Sequence, residues 1–412
     1  MDYFVIISIL VFISAIFGYI NVRFLHLPNT IGLMLITIVF TLAVFAISYF
    51  DDTLLNAERY IISQIDFKTV LLDIMLSFLL FAGALHTNFQ QLRIQRWPIL
   101  VFSTLGVLVS TFLVGIITYY MLQLLGLPVN FIYCLLFGAL ISPTDPIAVL
   151  GILKQAGAPK KLETKIVGES LFNDGVGVVV FLVIFQIASA GADAITPLEI
   201  LELFGVEVIG GIVLGLLLGW ITYRLMKSID DYDIEVIITL ATVMIGTVIA
   251  QKLHLSAPLA MVTAGLMVGN DTVRNSAMSA TTETYVDKFW ELLDILLNTL
   301  LFVLIGMEML VLTFDTTYLL AGVLAIPIVL ACRYISLLLP IKFFEKKLDF
   351  VPKTNLIMTW GGLRGGISIA LALGLTEDMN RDLFLVITYV VVVFSIIVQG
   401  LTVEKLVKKV AV

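Results

Sequence analysis

Between Ile99 and Leu125 the chain carries no charged residue. A helix needs roughly 20 such residues to cross the hydrocarbon of a bilayer. Lipid offers the backbone no hydrogen-bond partners, so a run of this kind has to satisfy its own amides and carbonyls as a helix. A spanning strand would alternate apolar and polar residues, and this run does not. Similar runs recur along the whole chain. Composition agrees, at 60% hydrophobic and 13% charged residues, against about 45–50% and about 25% in an ordinary soluble domain.

The runs predict an all-α polytopic membrane protein with about 13 transmembrane helices. They lie near Tyr3–Ile20, Thr30–Phe50, Phe67–Leu85, Ile99–Leu125, Phe131–Leu153, Ile166–Ala190 and Phe204–Leu225, then Ile234–Gln251, Ser256–Gly269, Phe289–Leu312, Tyr318–Phe344, Thr354–Leu375 and Leu383–Val403. Ser256–Gly269 is short enough to be re-entrant or strongly tilted. The first run reads as a retained span rather than a cleaved signal peptide, since no basic start and small-residue cleavage site frame it.

Basic residues collect on one alternating set of linkers, including Arg23, Arg93, Arg96, Lys160, Arg224, Arg274, Lys342 and Lys405, whereas the opposite set holds Arg59, Lys68, Lys252 and Arg381. The positive-inside rule then puts the N-terminus outside and the C-terminus in the cytoplasm of a cell inner (cytoplasmic) membrane. A net charge of −7 argues against a nucleic-acid partner. Cys134 and Cys332 sit in apolar runs and read as small buried hydrophobes. The chain has no P-loop, no H-E-x-x-H and no G-x-S-x-G. No cofactor is expected.

Two runs are interrupted. Ser142-Pro143-Thr144-Asp145-Pro146 divides one, and Gly361-Gly362-Leu363-Arg364-Gly365-Gly366 divides another. Proline removes a donor and clashes with the preceding turn, so the first interruption should unwind its helix. Paired broken helices in the two halves of a chain point to an inverted-repeat transporter with a midplane site. Structural kinks are the plainer reading, but both breaks carry charge.

A charge at mid-bilayer costs roughly 2.5–3.5 kcal/mol on insertion scales, so it needs a reason. The clear cases are Asp145, Glu169, Asp174, Arg333 and Arg364. Asp145 either caps a positive half-helix end or contributes to a cation site lined by freed carbonyls. Ser170 and Asp174 are spaced to share one helix face, where a hydroxyl and a carboxylate could touch the same small cation; Glu169 and Asn173 lie on the adjacent face. Asp174 is therefore the expected ion- and proton-binding group. Glu169 is the expected partner of an arginine, with Arg364 between its glycines as the candidate. Arg333 is expected to be structural, set against a carboxylate or carbonyls. Asp73 and Asp294 border or enter spans without a clear role.

These residues resemble one family. Ser142-Pro143-Thr144-Asp145-Pro146, Gly168-Glu169-Ser170-Leu171-Phe172-Asn173-Asp174 and Gly362-Leu363-Arg364-Gly365 are similar to motifs of the NhaP-type sodium/proton antiporters, which belong with the sodium/hydrogen exchangers of the cation/proton antiporter superfamily. Leu301–Glu308 and Cys332–Ser336 add to the likeness. The resemblance implies an inverted repeat around two crossed, discontinuous helices. It implies dimer-domain helices over 1–86 and 203–312, core helices over 98–190 and 318–408, a homodimer in membrane lipid, and an elevator movement of the core. It implies that sodium (or lithium) is exchanged for a proton one for one, with a place in pH homeostasis. By the same resemblance the cation is held by Thr144, Asp145, Ser170 and Asp174, and the structural pair is Glu169 with Arg364, supported by Asn173 and Arg333. One departure is at Leu80-Phe81-Ala82-Gly83, where many relatives place a glutamate at the position of Ala82.

Potassium/proton exchange is the alternative within the same class. From other classes, Asp145 and Asp174 could form the dyad of an intramembrane aspartyl protease, or the chain could be a cation channel, although no filter motif is visible. Proton-coupled flux without peptide cleavage separates the three.

Overall fold

The computed structural model describes residues 3–51, 53, 55–56, 69–87, 89–145, 153, 159–190, 197–309, 315–345, 350 and 352–410. Among them every regular element is a helix. The helices used below are α1 (Tyr3–Ile20), α2 (Asn29–Ser48), α3 (Leu76–Leu85), α4 (Val107–Leu124), α5 (Phe131–Ile141), α6 (Lys160–Ala190), α7 (Pro197–Met226), α8 (Tyr232–Lys252), α9 (Ala257–Val268), α10 (Ala280–Glu308), α11 (Thr316–Glu345), α12 (Thr354–Trp360), α13 (Gly366–Leu373), α14 (Arg381–Phe394) and α15 (Gly400–Val410).

Among the described residues, nine helices are long and apolar enough to cross a membrane, where run length alone suggested about thirteen spans. The difference has local causes. α5 stops at Ser142, just before Pro143, which cannot donate to the helix ladder. α12 stops at Gly361, and α13 starts only at Gly366 after an extended Gly365. α9 begins at a Ser256 cap and ends at Gly269, so it is too short to span. α3 is preceded by a π-helical stretch, Thr69–Met75.

Lipid gives helices no hydrophobic reason to prefer one another, so close backbone contact has to hold them, and small residues permit it. A Cβ at Gly138 of α5 would lie 2.2 Å from the Thr111 carbonyl oxygen of α4. On α7, Gly211 and Gly215 make the same kind of contact with the Ser256 and Ala260 carbonyls, so α9 lies tight against α7. A larger apolar cluster draws on α2, α4, α5, α6, α11, α13 and α14. A second gathers part of α3 with α7, α8, α9 and the start of α10 around Trp290. The Trp290 indole is fully buried and donates to Thr239 Oγ1 at 2.9 Å.

α2 and α10 run parallel. The Thr41 hydroxyl donates to the Gly306 carbonyl at 3.1 Å. One end back along both helices, Asn29, Thr30 and Leu33 share a small cavity with Asp294 and Asn298.

Candidate functional site

The two helix breaks meet. The Asp145 amide donates to the Leu363 carbonyl at 2.8 Å, which ties the first break to the second. Arg364 reaches back the other way: its guanidinium donates to the carbonyls of Ser142 and of Pro143, the latter at 2.8 Å. Those carbonyls are at the C-terminal end of α5, where the ladder has run out and partial negative charge accumulates. The Arg364 amide donates to Ser395 Oγ at 2.9 Å, so the second break is held from behind as well. Ser142 Oγ donates to the Gly138 carbonyl at 2.6 Å and lies 2.9 Å from Ser110 Oγ.

α6 passes alongside and presents Glu169, Ser170, Asn173 and Asp174, all buried. Asn173 acts as a clamp. Its Oδ1 accepts from the Thr144 amide at 3.2 Å, and its Nδ2 donates to Thr144 Oγ1 at 2.8 Å and to Glu169 Oε1 at 3.3 Å. The hydroxyls of Thr144 and Ser170 face each other at 2.9 Å. The sequence motifs over 142–145 and 168–174 therefore converge in space, as does 361–366. Pro146 lies outside the described residues, as does the side chain of Asp73.

The ion pair differs from expectation. Glu169 is held by Arg333 of α11, not by Arg364. Arg333 Nη1 lies 2.5 Å from Glu169 Oε1, and Nη2 donates to Oε2 at 2.6 Å, a two-point contact with both side chains buried. The physical reason is that the unwound break offers Arg364 a closer set of acceptors, the orphan carbonyls of α5, which leaves Glu169 to the other membrane arginine. Sequence spacing identified both arginines as needing a partner, but which partner each takes is a tertiary outcome.

A cavity of about 50 Å³ opens where the breaks meet α6. Asp145, Asp174, Gly365 and Ser368 line it on one side, and Leu76, Leu80, Asn298 and Leu301 on the other. Among the described residues Asp174 takes no part in an ion pair, while Glu169 does. The pocket thus joins two carboxylates to a wall where matched charges are already in place. Asn298 was not singled out from the sequence. The available signal was an amide four residues after Asp294 in an otherwise apolar stretch. Ala82, at the position of the departure from the family pattern, is buried in the second apolar cluster.

Comparison with known proteins places this arrangement. The pattern of the family described as "Sodium/hydrogen exchanger, transmembrane" matches residues 11–409. The Na(+)/H(+) antiporter NhaP of Pseudomonas aeruginosa is 49% identical over 97% of this chain and 95% of its own. The Na(+)/H(+) antiporter NhaH of Halobacillus dabanensis is 35% identical over 94% and 93%. The solved structure of the sodium proton antiporter MjNhaP1 from Methanocaldococcus jannaschii at pH 8 superposes with a TM-score of 0.76 over 100% of both chains at 19% identity, so the two share a fold. With the family pattern matching nearly end to end and a relative at close to half identity, this chain is a multi-pass membrane protein of the transmembrane sodium/hydrogen exchanger family.

Proposed function

We propose that this protein is a secondary antiporter that exchanges sodium (or lithium) for protons across the cytoplasmic membrane, one for one. The observation that carries the proposal is the division of charge at the crossed breaks. Glu169 is matched by Arg333 and Arg364 by helix-end carbonyls, while Asp174 faces a small cavity beside Asp145. Asp174 binds either a proton or the cation. Asp145, Thr144 and Ser170 complete an all-oxygen shell suited to a hard ion. Competition for one carboxylate gives exchange without a further energy source, provided that only the loaded site crosses.

Electroneutrality is supported by Asn173. An amide, not a second carboxylate, adjoins Asp174, and it is committed to Thr144 and Glu169. Glu169 is already engaged at two points by Arg333, so it is not available as a second carrier beside Asp174.

The proposed movement is an elevator. The contacts that build the site, Asp145 to Leu363, Arg364 to Ser142 and Pro143, Asn173 to Thr144 and Glu169 to Arg333, all join 98–190 to 318–408 or lie within one of them. These two segments form the transporting body. Segments 1–86 and 203–312 form the scaffold and the face of a homodimer. The excess of basic residues on one set of linkers supports a cytoplasmic C-terminus and an outer N-terminus.

The test is dequenching of a pH-sensitive dye in proteoliposomes across the alkali metals, with wild type and Asp174→Asn. Sodium and lithium should release protons from wild type. Asp174→Asn should abolish sodium-driven proton release and proton-driven sodium uptake together. Survival of either flux at a substantial fraction of wild type would refute the shared carboxylate. A response to potassium alone would replace sodium as the substrate.

A further inference from the structure

A second void lies next to the site, and one side chain belongs to both. The pocket at Asp145 and Asp174, about 50 Å³, and the void between α2 and α10, about 60 Å³, both have Asn298 in their walls. A cavity of roughly 10–15 Å³ already admits a water molecule, so each can take a small cation with some of its water.

Asn298 is only 5% exposed. Its Nδ2 donates to the Asp294 carbonyl at 2.9 Å and to Asp294 Oδ1 at 3.1 Å. Both partners are acceptors, so the amide cannot be turned round. Its Oδ1 is left buried with no partner among the described residues. A buried polar atom of this kind normally finds one. An amide oxygen is also a ligand that hard cations accept. The neighbouring void is lined by Asp294, Asn29, Thr30 and Thr299, a carboxylate and three oxygen-bearing side chains between two helices long and apolar enough to cross a membrane. Such a group needs a reason to be there.

We propose that Asp294 and Asn298 form a second, transient cation station, through which sodium passes between the Asn29 end of α2 and the Asp145–Asp174 pocket. Asp294 attracts the partly hydrated ion, and the Asn298 oxygen replaces one of its waters on the way to the pocket. The void lies beside the first residues of α2, so the station serves the pocket from that end of the helix only. This inference rests on the antiport reading.

The experiment is sodium-dependent proton flux in everted and right-side-out membrane vesicles from a host without its own antiporters. It compares wild type, Asp294→Asn, Asn298→Leu and Asn298→Gln. For sodium presented from the Asn29 side, Asp294→Asn and Asn298→Leu should raise the apparent KM about five- to tenfold while the maximal rate stays within about twofold. The KM for sodium from the opposite face should not move. Asn298→Gln, which keeps the amide oxygen, should recover part of the loss. An unchanged KM on the Asn29 side overturns the station. So does an equal rise on both faces, which would mean distortion of the Asp174 pocket, or a fall in maximal rate alone, which would mean a structural role. Should Asn298→Leu fail to accumulate, the near-isosteric Asp294→Asn decides by the same criteria. A wild type without sodium-dependent proton flux would instead remove the antiport reading itself.

Discussion

Glu169 and Arg333 grip each other at two points inside the protein, so removing either one strands a full charge. Breaking such a pair typically costs roughly 3–5 kcal/mol, because the survivor remains buried without compensation. Glu169→Ala and Arg333→Ala should each lower the thermal midpoint of the purified protein strongly, and the double replacement should do less harm than the sum. A double-mutant cycle reads this directly. The same cycle with Arg364 in place of Arg333 should show much weaker coupling, since the Arg364 guanidinium donates to carbonyls of the first break. Strong Glu169–Arg364 coupling would contradict the pairing described here. The sequence announced that these charges needed partners, because each sat far inside an apolar run. It could not say which arginine took Glu169. That choice depends on how far the unwound carbonyls of Ser142 and Pro143 project, a distance set by the fold and not by spacing along α6. Asn298 was missed for a related reason: one amide in an apolar helix looks like many others until a cavity is found on each side of it.

At the scale of elements, the breaks were legible because two prolines bracket Thr144-Asp145 and four glycines flank Leu363-Arg364, whereas Pro327 and Pro340 stand singly within the continuous α11. What was not legible is that the breaks bond to each other through the Asp145 amide and the Leu363 carbonyl. The shorter helices were harder to read too. α9 was visible as a short run, but its seat against α7 depends on glycines whose meaning appears only when the opposing carbonyls of Ser256 and Ala260 are in place. Gly138 offers a sharp test of this kind of packing. Any Cβ there would meet the Thr111 carbonyl oxygen at 2.2 Å, a backbone atom that cannot swing aside. Gly138→Ala should separate α4 from α5 and destabilise by about 1–3 kcal/mol, the usual range for overpacking. Gly18 is the control. A Cβ there meets nothing within 4 Å, so Gly18→Ala should stay within about 0.5 kcal/mol. Thermal unfolding of the two variants beside wild type checks both expectations.

For the whole molecule, the proposed elevator makes one contact conspicuous. The Tyr389 hydroxyl of α14 donates to the Ile305 carbonyl of α10 at 2.9 Å, bridging the proposed moving body and its scaffold. The bond has to break when the body slides. A hydrogen bond of this kind contributes about 0.5–1.5 kcal/mol net, so Tyr389→Phe should shift the balance between conformations by roughly two- to tenfold. A cysteine introduced at Leu79, which lines the cavity, would report the shift as a changed labelling rate. Cys134 and Cys332 are buried and should stay silent. An unchanged rate would mean that the bond travels intact and that the boundary lies elsewhere.

Voltage tests the stoichiometry at the same scale. Moving one elementary charge through 100 mV is worth about 2.3 kcal/mol. Exchange of one sodium ion for one proton moves no net charge, so its rate should not change under a valinomycin-clamped potential. A reversal point that follows the imposed potential would point to a second proton, with Asp145 as its carrier.

The clamp formed by Asn173 on Thr144 has a further consequence. Its two hydrogen bonds, together with the Thr144–Ser170 contact, hold the first break against α6 entirely within one proposed body. The aperture presented to an ion is therefore carried along unchanged, like a gauge whose jaws are locked before it is moved. The ranking of lithium, sodium and potassium should then be the same whether the ions compete from inside or outside, even where their half-saturating concentrations differ between the two faces.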